Sequence, residues 1–294
     1  MPPVQVHAVQ VRGEVLSTQH VGAYHLLGVV APGVAEHVRP GQFVAVGVGG
    51  EESSLLLRRA FSVYAARPGG RYGGIVEFVV AVAGRGTAWL ARRRVHDPLD
   101  VVGPLGRPFA LPTTPVPCAL VGGGYGSSPL FSLANALRAR GCRVHFVLGA
   151  STEARLFGAL EAKRAAASLT VTTEDGSAGQ VGRVSDVLPD VIARTASSVV
   201  YACGPMGMLA AVSTIGAEHD VAVQVAVEEA MACGIGVCMT CVLPVVGDDG
   251  VTRMTRSCVE GPVFRGDRVR WADLGTVPGD CLGATAMDAA MDGD

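Results

Sequence analysis

The sequence predicts a chain that is all-β in its first part and α/β in its second part, with a small cysteine-rich module near its end. Three observations support this fold class. Short apolar stretches separated by glycine and proline run from residue 4 to about residue 112, as in an antiparallel β-barrel. Apolar stretches then alternate with alanine- and leucine-rich stretches, which is typical of a parallel sheet with crossover helices. From residue 225 onward, cysteine and glycine become frequent.

Length and composition fit two domains with a small appendage and exclude several classes of function. The chain has 294 residues, which exceeds the usual size of one domain. Its formal net charge is -2 and its charges of both signs are interspersed, so we expect no nucleic-acid partner and no membrane surface as a partner. The first ten residues lack the pattern of a secretory signal, so a cytoplasmic location is expected.

The barrel domain is expected over residues 1–112. Its predicted strands are residues 4–15, 24–30, 42–48 and 75–83. Three prolines fall within residues 111–117, and proline cannot continue a helix or a central strand. This segment is therefore predicted to be a linker.

The α/β domain is expected over residues 116–224, the cysteine-rich module over 225–268 and a tail over 269–294, mobile beyond about residue 280. Residues 118–137 carry no charge and approach the length of a membrane span. Glycines in the middle of this run indicate instead a strand, a turn and the start of a helix. Further strands and helices are predicted at residues 119–121, 130–140, 144–148, 155–164, 169–172, 199–201 and 206–215.

Four cysteines near the end of the chain have the spacing of a plant-type 2Fe-2S site. The pattern C-x4-C-x2-C is followed by a fourth cysteine after a longer excursion. Four thiolates must converge on a compact diiron core, and Gly234 and Gly236 carry no side chain to obstruct the loop that wraps it. The predicted cluster ligands are Cys233, Cys238, Cys241 and Cys258.

A zinc site is the alternative at these cysteines, since four thiolates also make a tetrahedral site. Zinc sites more often use two C-x2-C pairs, and only one such pair is present. The remaining cysteines at 118, 142 and 281 are not part of a ligand spacing of this kind and are expected to be ordinary buried thiols.

Two glycine-containing turns are predicted at the carboxyl edge of the parallel sheet, where open α/β sheets bind ligands. The first follows the apolar strand at residues 119–121 and precedes a helix, so backbone N–H groups there could approach a diphosphate. The second again ends a strand and precedes a helix. Either turn alone is also compatible with an ordinary connection. The candidate residues are Gly122, Gly123, Gly124, Gly126, Cys203, Gly204 and Pro205.

Two short segments of the barrel domain have the residue types of a flavin nucleotide site. Arg59 could pair with a diphosphate, Phe61 could cover an aromatic ring system and the hydroxyl of Ser62 could reach a ring nitrogen. Gly86 and Thr87 precede a predicted helix at residues 88–94, which Thr87 could cap beside a phosphate.

Taken in order, these segments resemble the ferredoxin reductase superfamily. The segment at 228–241, together with 258–264, specifically resembles the electron-transfer subunits of two-protein, NAD-linked dihydroorotate dehydrogenases. The resemblance runs from near residue 4 to about residue 264. The segments that carry it are residues 59–62, 84–87, 121–126, 203–205 and 228–241.

The resemblance implies an FAD-binding barrel, an NAD-binding α/β domain and a 2Fe-2S module. By position, Arg59 would contact the FAD diphosphate, Phe61 would cover the isoalloxazine and Ser62 would lie near its reactive edge. Gly86 and Thr87 would bind phosphate. The two glycine turns, with Cys203, would face the nicotinamide cofactor.

The resemblance also implies a partner, a separate FMN-containing dihydroorotate dehydrogenase catalytic subunit, in a heterotetramer. Electrons would pass from dihydroorotate through FMN, the cluster and FAD to NAD+ in pyrimidine biosynthesis. A flavin reductase subunit serving another partner is the alternative, as is a redox sensor. NADP is not excluded, because Ser151, Thr152 and Arg155 lack the simple acidic signature for a free ribose.

Overall fold

A computed structural model describes residues 8–50 and 53–284 of the chain. It contains a closed six-stranded barrel, a seven-stranded sheet with helices and a two-stranded hairpin. The predicted fold class is therefore confirmed. The start of the first predicted strand, at residues 4–7, lies outside the described residues.

The barrel closes in the strand order β1-β2-β5-β4-β3-β6, and all its neighbouring strands are antiparallel. Its core contains Val29, Val44, Phe78 and Leu90, all fully buried. The barrel elements are β1 (Val9–Val21), β2 (Tyr24–Val30), β3 (Phe43–Val46), β4 (Arg59–Pro68), β5 (Gly74–Ala81), α1 (Arg85–Ala91) and β6 (Pro98–Leu105).

Helix α1 begins three residues before the predicted start, which changes the position of Thr87. Gly84 is the N-cap, and Thr87 lies in the first turn. The Thr87 hydroxyl accepts hydrogen bonds from the backbone N–H groups of Ala83 (2.9 Å) and Gly84 (3.1 Å). Thr87 is therefore the third helical residue, whose hydroxyl satisfies the backbone N–H of the N-cap, and is not itself the N-cap.

The second domain is a sheet in the order β10-β9-β8-β7-β11-β12-β15, in which β15 (Val263–Arg265) is antiparallel to β12 and the other neighbouring strands are parallel. Its helices cover both faces, and two apolar clusters lie beneath them. The elements are β7 (Pro117–Gly123), α2 (Ser128–Ala139), β8 (Arg143–Ala150), α3 (Ala159–Ala165), β9 (Ser168–Thr173), β10 (Gln180–Val181), α4 (Val184–Thr195), β11 (Val199–Cys203), α5 (Met206–Glu218) and β12 (Ala222–Ala226).

Helix α4 has no counterpart in the sequence prediction. It carries Pro189 in its interior, and proline removes one helical hydrogen bond, so the segment does not look helical from its composition. Burial of Leu188, Val191 and Ile192 against the sheet compensates for this loss.

The cysteine-rich segment is joined to the α/β sheet by its own strand. The hairpin strands β13 (Val242–Val246) and β14 (Thr252–Arg256) stand apart, but β15 (Val263–Arg265) pairs with β12 at the sheet edge. The module is thus fixed to the second domain through backbone hydrogen bonds.

The segment that connects the barrel to the sheet is held by side chains of the sheet. The Tyr201 hydroxyl donates to the Ala110 carbonyl at 2.9 Å, and the Gln224 amide bonds both the N–H and the carbonyl of Ala110 at 2.8 Å. The residue just before the predicted linker is therefore anchored to β11 and β12.

The start of the tail is packed against the hairpin. Cys281 is buried, and the backbone N–H of Leu282 donates to the Thr252 carbonyl at 2.9 Å. The tail is expected to be mobile beyond about residue 280; Cys281 and the backbone of Leu282 contact the hairpin, whereas the side chain of Leu282 is exposed, and residues 285–294 lie outside the described part of the chain. No helix within the described residues is long and apolar enough to span a bilayer.

The packing of α4 can be tested with two leucines of opposite exposure. Leu188 on α4 is fully buried, whereas Leu160 on α3 is 75% exposed. Leu188→Ala should lower the free energy of unfolding by about 2–5 kcal/mol, because it leaves a cavity. Leu160→Ala should change it by less than about 0.5 kcal/mol. Urea denaturation followed by circular dichroism measures both; equal losses would contradict the position of α4.

Candidate functional site

The two glycine turns predicted from sequence meet in the structure. Strands β7 and β11 are parallel neighbours, with Cys203 opposite Gly122 at their carboxyl ends. A Cβ atom added to Gly126 would lie 2.6 Å from the Cα of Gly204. Only glycines allow the two backbones to approach this closely.

Further contacts fix the same pair of turns. A Cβ on Gly123 would lie 2.8 Å from both the Pro205 ring and the sulphur of Met208. Gly124 has a φ of +55°, a left-handed conformation that favours glycine. The structure thus brings together all seven residues predicted at the nucleotide edge.

A cleft of about 520 Å³ opens beside these turns. It lies where the sheet order reverses between β7 and β11, the position at which open α/β sheets bind nucleotides. The barrel and the cysteine-rich segment also contribute to its walls, so all three parts of the chain meet there. Residues lining it include Tyr24, Ala81, Gly123, Tyr125, Pro205 and Glu228.

Glu228 places a carboxylate in this cleft. Its Oε2 atom lies 3.5 Å from the Tyr125 hydroxyl. The Glu228 side chain is exposed within the cleft. The protein walls around it still desolvate the carboxyl and raise its pKa. Burial likewise raises the pKa of Tyr125 to about 12 and that of the Cys203 thiol well above its usual value. Sequence reasoning assigned neither Glu228 nor Tyr125 to the site.

The far end of the cleft carries an ion pair that sequence reasoning also missed. The side chains of Glu174 and Arg183 approach within 3.9 Å, and both residues line the cleft with Ser151. Glu174 follows β9, which is two strands away from β7 and its glycine turn. The sequence does not give this strand order, so it could not place Glu174 in the cleft.

Three of the predicted flavin residues lie together at one end of the barrel. A Cβ on Gly86 would lie 2.9 Å from Nε of Arg59, so this glycine lets the guanidinium rest against the first turn of α1. The Arg59 side chain also donates to the Leu57 carbonyl at 2.7 Å. Thr87 lies one residue beyond Gly86. This grouping presents a cation beside backbone amides, which suits a diphosphate.

Phe61 and Ser62 point to opposite sides of β4. Phe61 stacks on the buried ring of Phe78, with centroids 4.9 Å apart and planes 23° apart, and is therefore directed towards the barrel core while remaining partly exposed. Ser62 pairs with Phe43 of β3 on the other side. The structure thus does not place these two residues on one surface.

The four predicted cluster cysteines form two pairs. Cys241 and Cys258 pack in one apolar cluster, Cys233 and Cys238 lie beside each other, and Cys233 also lies near Cys258. The first pair lies towards solvent, with Cys238 exposed, and the second pair is buried.

The paired arrangement fits a diiron cluster, in which each iron takes two thiolates. Within residues 8–50 and 53–284, no three His, Cys, Asp or Glu side chains converge on the position of a single ion. A hydrogen bond from the Thr240 hydroxyl lowers the pKa of Cys238 to about 6, whereas burial raises that of Cys258 to about 12. The exposed pair is therefore the readier source of thiolates, the form that binds metal.

The cysteine loop packs on the outside of the barrel. In β3, Val44 and Val46 belong to the barrel core, while Phe43 and Ala45 face outward and pack with Cys241 and Cys258. A Cβ on Gly234 would lie 3.6 Å from that of Ala45.

This packing brings the cysteines close to the flavin segment of β4. Residues 43–46 of β3 pair directly with residues 59–62 of β4. Neighbouring antiparallel strands lie about 4.7–4.9 Å apart, so one strand spacing separates the surface under the cysteines from Ser62, which pairs with the outward-facing Phe43.

Two family models match the chain. An iron-sulphur cluster binding domain of dihydroorotate dehydrogenase B matches residues 228–270, and an oxidoreductase NAD-binding domain matches residues 120–214. The first contains all four cysteines, and the second contains both glycine turns.

Curated relatives are similar over most of the chain. The dihydroorotate dehydrogenase B (NAD(+)) electron transfer subunit of Geobacillus kaustophilus is 40% identical over 240 residues, covering 80% of this chain and 88% of the relative. The subunit of the same name from Desulforamulus reducens is 35% identical over 242 residues, covering 82% and 90%.

Solved structures agree with the fold. A structure described as giving insights into flavin-based electron bifurcation, that of an NADH-dependent reduced ferredoxin-NADP oxidoreductase, has a TM-score of 0.78 and 29% identity, covering 96% of this chain and 98% of its own. A ferredoxin reductase of carbazole 1,9a-dioxygenase, 22% identical with a TM-score of 0.62, shows the same fold over 75% of this chain and 68% of its own.

The cluster and NAD domains, together with the reductase fold, make this chain a flavin-dependent oxidoreductase subunit that uses FAD, a 2Fe-2S cluster and NAD. The cysteine spacing, the paired turns and the similarity to curated relatives over four fifths of its length lead to one assignment. The chain belongs to the family of dihydroorotate dehydrogenase B (NAD(+)) electron transfer subunits.

Proposed function

We propose that this chain carries electrons from an FMN-containing dihydroorotate dehydrogenase catalytic subunit, through its 2Fe-2S cluster and FAD, to NAD+. The pathway would serve pyrimidine biosynthesis in the cytoplasm, in a heterotetramer of the two subunits. The observation that carries the proposal is the packing of the cysteine loop on β3, one strand away from the flavin segment of β4.

Each group has residues suited to hold it. Arg59, Gly86 and Thr87 would bind the FAD diphosphate at the end of the barrel, and Ser62 would approach the reactive edge of the ring on the side of the cysteine loop. Phe61 points to the other side of β4 from Ser62 and stacks on Phe78, so it would contact the isoalloxazine only through the exposed part of its ring instead of covering it. FAD, when bound, exchanges a hydride with the nicotinamide and single electrons with the cluster.

The nicotinamide nucleotide would lie in the cleft at the paired glycine turns. Gly122, Gly123, Gly124 and Gly126 would admit the diphosphate to the amides that begin α2, and the residues 203–205 would face the nicotinamide. The names of the curated relatives specify NAD(+).

The cysteine loop offers a surface to the catalytic subunit. Cys238 is exposed, and the apolar side chains of Ile235, Val237 and Met239 around it are 55%, 74% and 52% exposed. Exposed apolar groups around a redox centre suit a protein partner, which would exclude water from the transfer path.

Reconstitution tests this function directly. The chain should be purified without oxygen, together with an FMN-containing subunit encoded near it, and assayed for dihydroorotate-dependent reduction of NAD+. We expect orotate and NADH to form in equal amounts. If no nearby FMN subunit supports orotate formation, the proposal is wrong.

A second candidate is a subunit that transfers electrons between ferredoxin and pyridine nucleotides. The similarity to the bifurcating NADH-dependent reduced ferredoxin-NADP oxidoreductase structure favours it, because it covers 96% of this chain. Recovery of a partner without FMN, and reduction of ferredoxin instead of orotate formation, would support this candidate over the first.

Loss of one cluster ligand should separate the two halves of the pathway. Cys238→Ser is expected to abolish the cluster and dihydroorotate-dependent NAD+ reduction. NADH-dependent reduction of a dye that accepts electrons from FAD should remain within about twofold, because the barrel and cleft are untouched. Cys142→Ser, in the core of the α/β domain, is the control and should retain iron. Iron analysis and the two assays test this expectation. Loss of both activities to the same extent in Cys238→Ser would contradict the pathway.

Closing the gap between the glycine turns should impair nucleotide binding. Gly126→Ala places a Cβ 2.6 Å from the Cα of Gly204 and must push the turns apart. We expect the Kd for NADH to rise at least tenfold, which is about 1.4 kcal/mol, with the FAD content unchanged. Gly279→Ala, with no atom within 4 Å of its new Cβ, should leave the Kd unaltered. An unchanged Kd in Gly126→Ala would place the nucleotide elsewhere.

Removing the proposed diphosphate ligand should weaken FAD binding. Arg59→Ala loses charge-assisted hydrogen bonds of about 1.5–3 kcal/mol, which is roughly a tenfold to hundredfold increase in the Kd for FAD. Arg67→Ala is the matched control, because Arg67 lies on the same strand and pairs with Glu77 at 2.8 Å. Fluorescence titration of the apoprotein with FAD measures both; equal affinities for the two variants would remove Arg59 from the site.

A further inference from the structure

One arginine side chain joins the two segments that carry the cluster cysteines. Nη1 of Arg256 donates a hydrogen bond of 2.9 Å to the carbonyl of Gly236. Gly236 lies in the loop between Cys233 and Cys238, whereas Arg256 lies at the end of β14, two residues before Cys258. The hydrogen bond therefore ties the exposed cysteine pair to the segment of the buried pair.

The other edge of the same guanidinium is held by a carboxylate. Nη2 of Arg256 donates to Oε1 of Glu260 at 2.6 Å, and Nε donates to Oε2 at 3.3 Å. The backbone N–H of Arg256 also donates to Oε2, at 3.1 Å. This bidentate contact with the Glu260 carboxylate fixes the plane of the guanidinium, and Nη1 is thereby directed towards the cysteine loop.

Backbone contacts beside Arg256 also join the two cysteine segments. Gly236 has a φ of +88°, and a Cβ there would lie 2.5 Å from Cγ2 of Val259. On the adjoining side, the backbone N–H and hydroxyl of Ser257 donate to the Cys241 carbonyl at 2.9 and 2.7 Å. Arg256 is thus one side chain within a tight frame around all four cysteines.

We infer that Arg256 is a positioning residue that also tunes the reduction potential of the cluster. It holds the loop of Cys233 and Cys238 against the turn of Cys258, and it presents its positive charge to the cysteine loop with the Glu260 carboxylate on its opposite edge. This inference rests on the proposed function, since it requires a 2Fe-2S cluster at the four cysteines.

The sign of the electrostatic effect follows from charge. Reduction adds one electron to the cluster, and a cation beside the cysteine loop favours the more negative form. The side chains of Arg256 and Glu260 are 35% and 31% exposed, so water screens their charges in part and the effect is moderate. Removing the cation should make the cluster harder to reduce, and removing the carboxylate should make it easier.

Two neutral variants with opposite expected shifts test the inference. In Arg256→Gln, the ratio of reduced to oxidised cluster at a fixed potential should fall about tenfold, equal to a shift of about 59 mV to lower potential for one electron. In Glu260→Gln, the ratio should rise. Arg256→Lys keeps the positive charge but loses the bidentate contact with Glu260. The reduction potential of its cluster should stay close to that of the chain without substitutions. Redox titration of the cluster by electron paramagnetic resonance, with iron analysis, measures these quantities on the full chain.

A second arginine of the same hairpin supplies the control. Arg253 pairs with Asp249 at 2.7 Å in the same i,i+4 spacing, and its hydrogen bonds go to Asp249 and Val251 instead of the cysteine loop. Arg253→Gln should change the ratio by less than about twofold, because Arg253 makes no hydrogen bond to the cysteine loop within the described residues and its charge is partly screened by water.

The outcomes separate this inference from the proposed function. If the chain without substitutions gives no 2Fe-2S signal on reduction, the proposed function itself is wrong. A normal signal with shifts of the same sign in Arg256→Gln and Glu260→Gln, or with no shift in either, would overturn the inference alone. If Arg256→Gln loses its iron, the positioning role is supported, and the expected rise in Glu260→Gln then decides the electrostatic role.

Discussion

The structure depends on a strand that is apolar on both faces. Strand β3 directs Val44 and Val46 into the barrel and Phe43 and Ala45 outward, and a barrel strand exposed to water would normally alternate with polar residues. The cysteine-rich module supplies the missing cover. Burial of this outer apolar face therefore stabilises the position of the cysteine loop on the barrel. The loop lies beside β4, which carries the predicted flavin segment at residues 59–62.

The same constraint explains how three parts of the chain share one site. The module is held on one side by the outer face of β3 and on the other by β15, which extends the α/β sheet. Glu228, which follows β12 and precedes the cysteine loop, lines the nucleotide cleft. The nucleotide cleft, the flavin segment and the cysteines are therefore fixed relative to one another by strand pairing and apolar burial.

Much of this arrangement could be predicted from sequence because its signals are local. The spacing of Cys233, Cys238 and Cys241 reflects the geometry of a small cluster, and the turns at 122–126 and 203–205 need glycine for close backbone approach. These requirements leave fixed residue types at fixed intervals, so a candidate ligand set and the two turns that meet in the structure could be predicted from the chain before the fold was known.

Features that depend on contacts between distant segments could not be predicted in this way. Glu228 and Tyr125 are 103 residues apart, and nothing in either segment indicates that they meet in the cleft. The start of α1 depends on Thr87 reaching back to Gly84, and α4 forms despite Pro189 because the sheet buries its apolar face. In each case a tertiary contact outweighs the local preference.

The central claim is that four thiolates hold a 2Fe-2S cluster close enough to FAD for electrons to pass between them. The most direct measurement is an anaerobic titration of the isolated chain with NADH, followed by absorption and electron paramagnetic resonance together. The account predicts flavin bleaching accompanied by the signal of a reduced 2Fe-2S cluster, with equal amounts of iron and sulphide. A colourless protein with zinc at the cysteines, or a flavin that bleaches while the cluster stays oxidised, would contradict it.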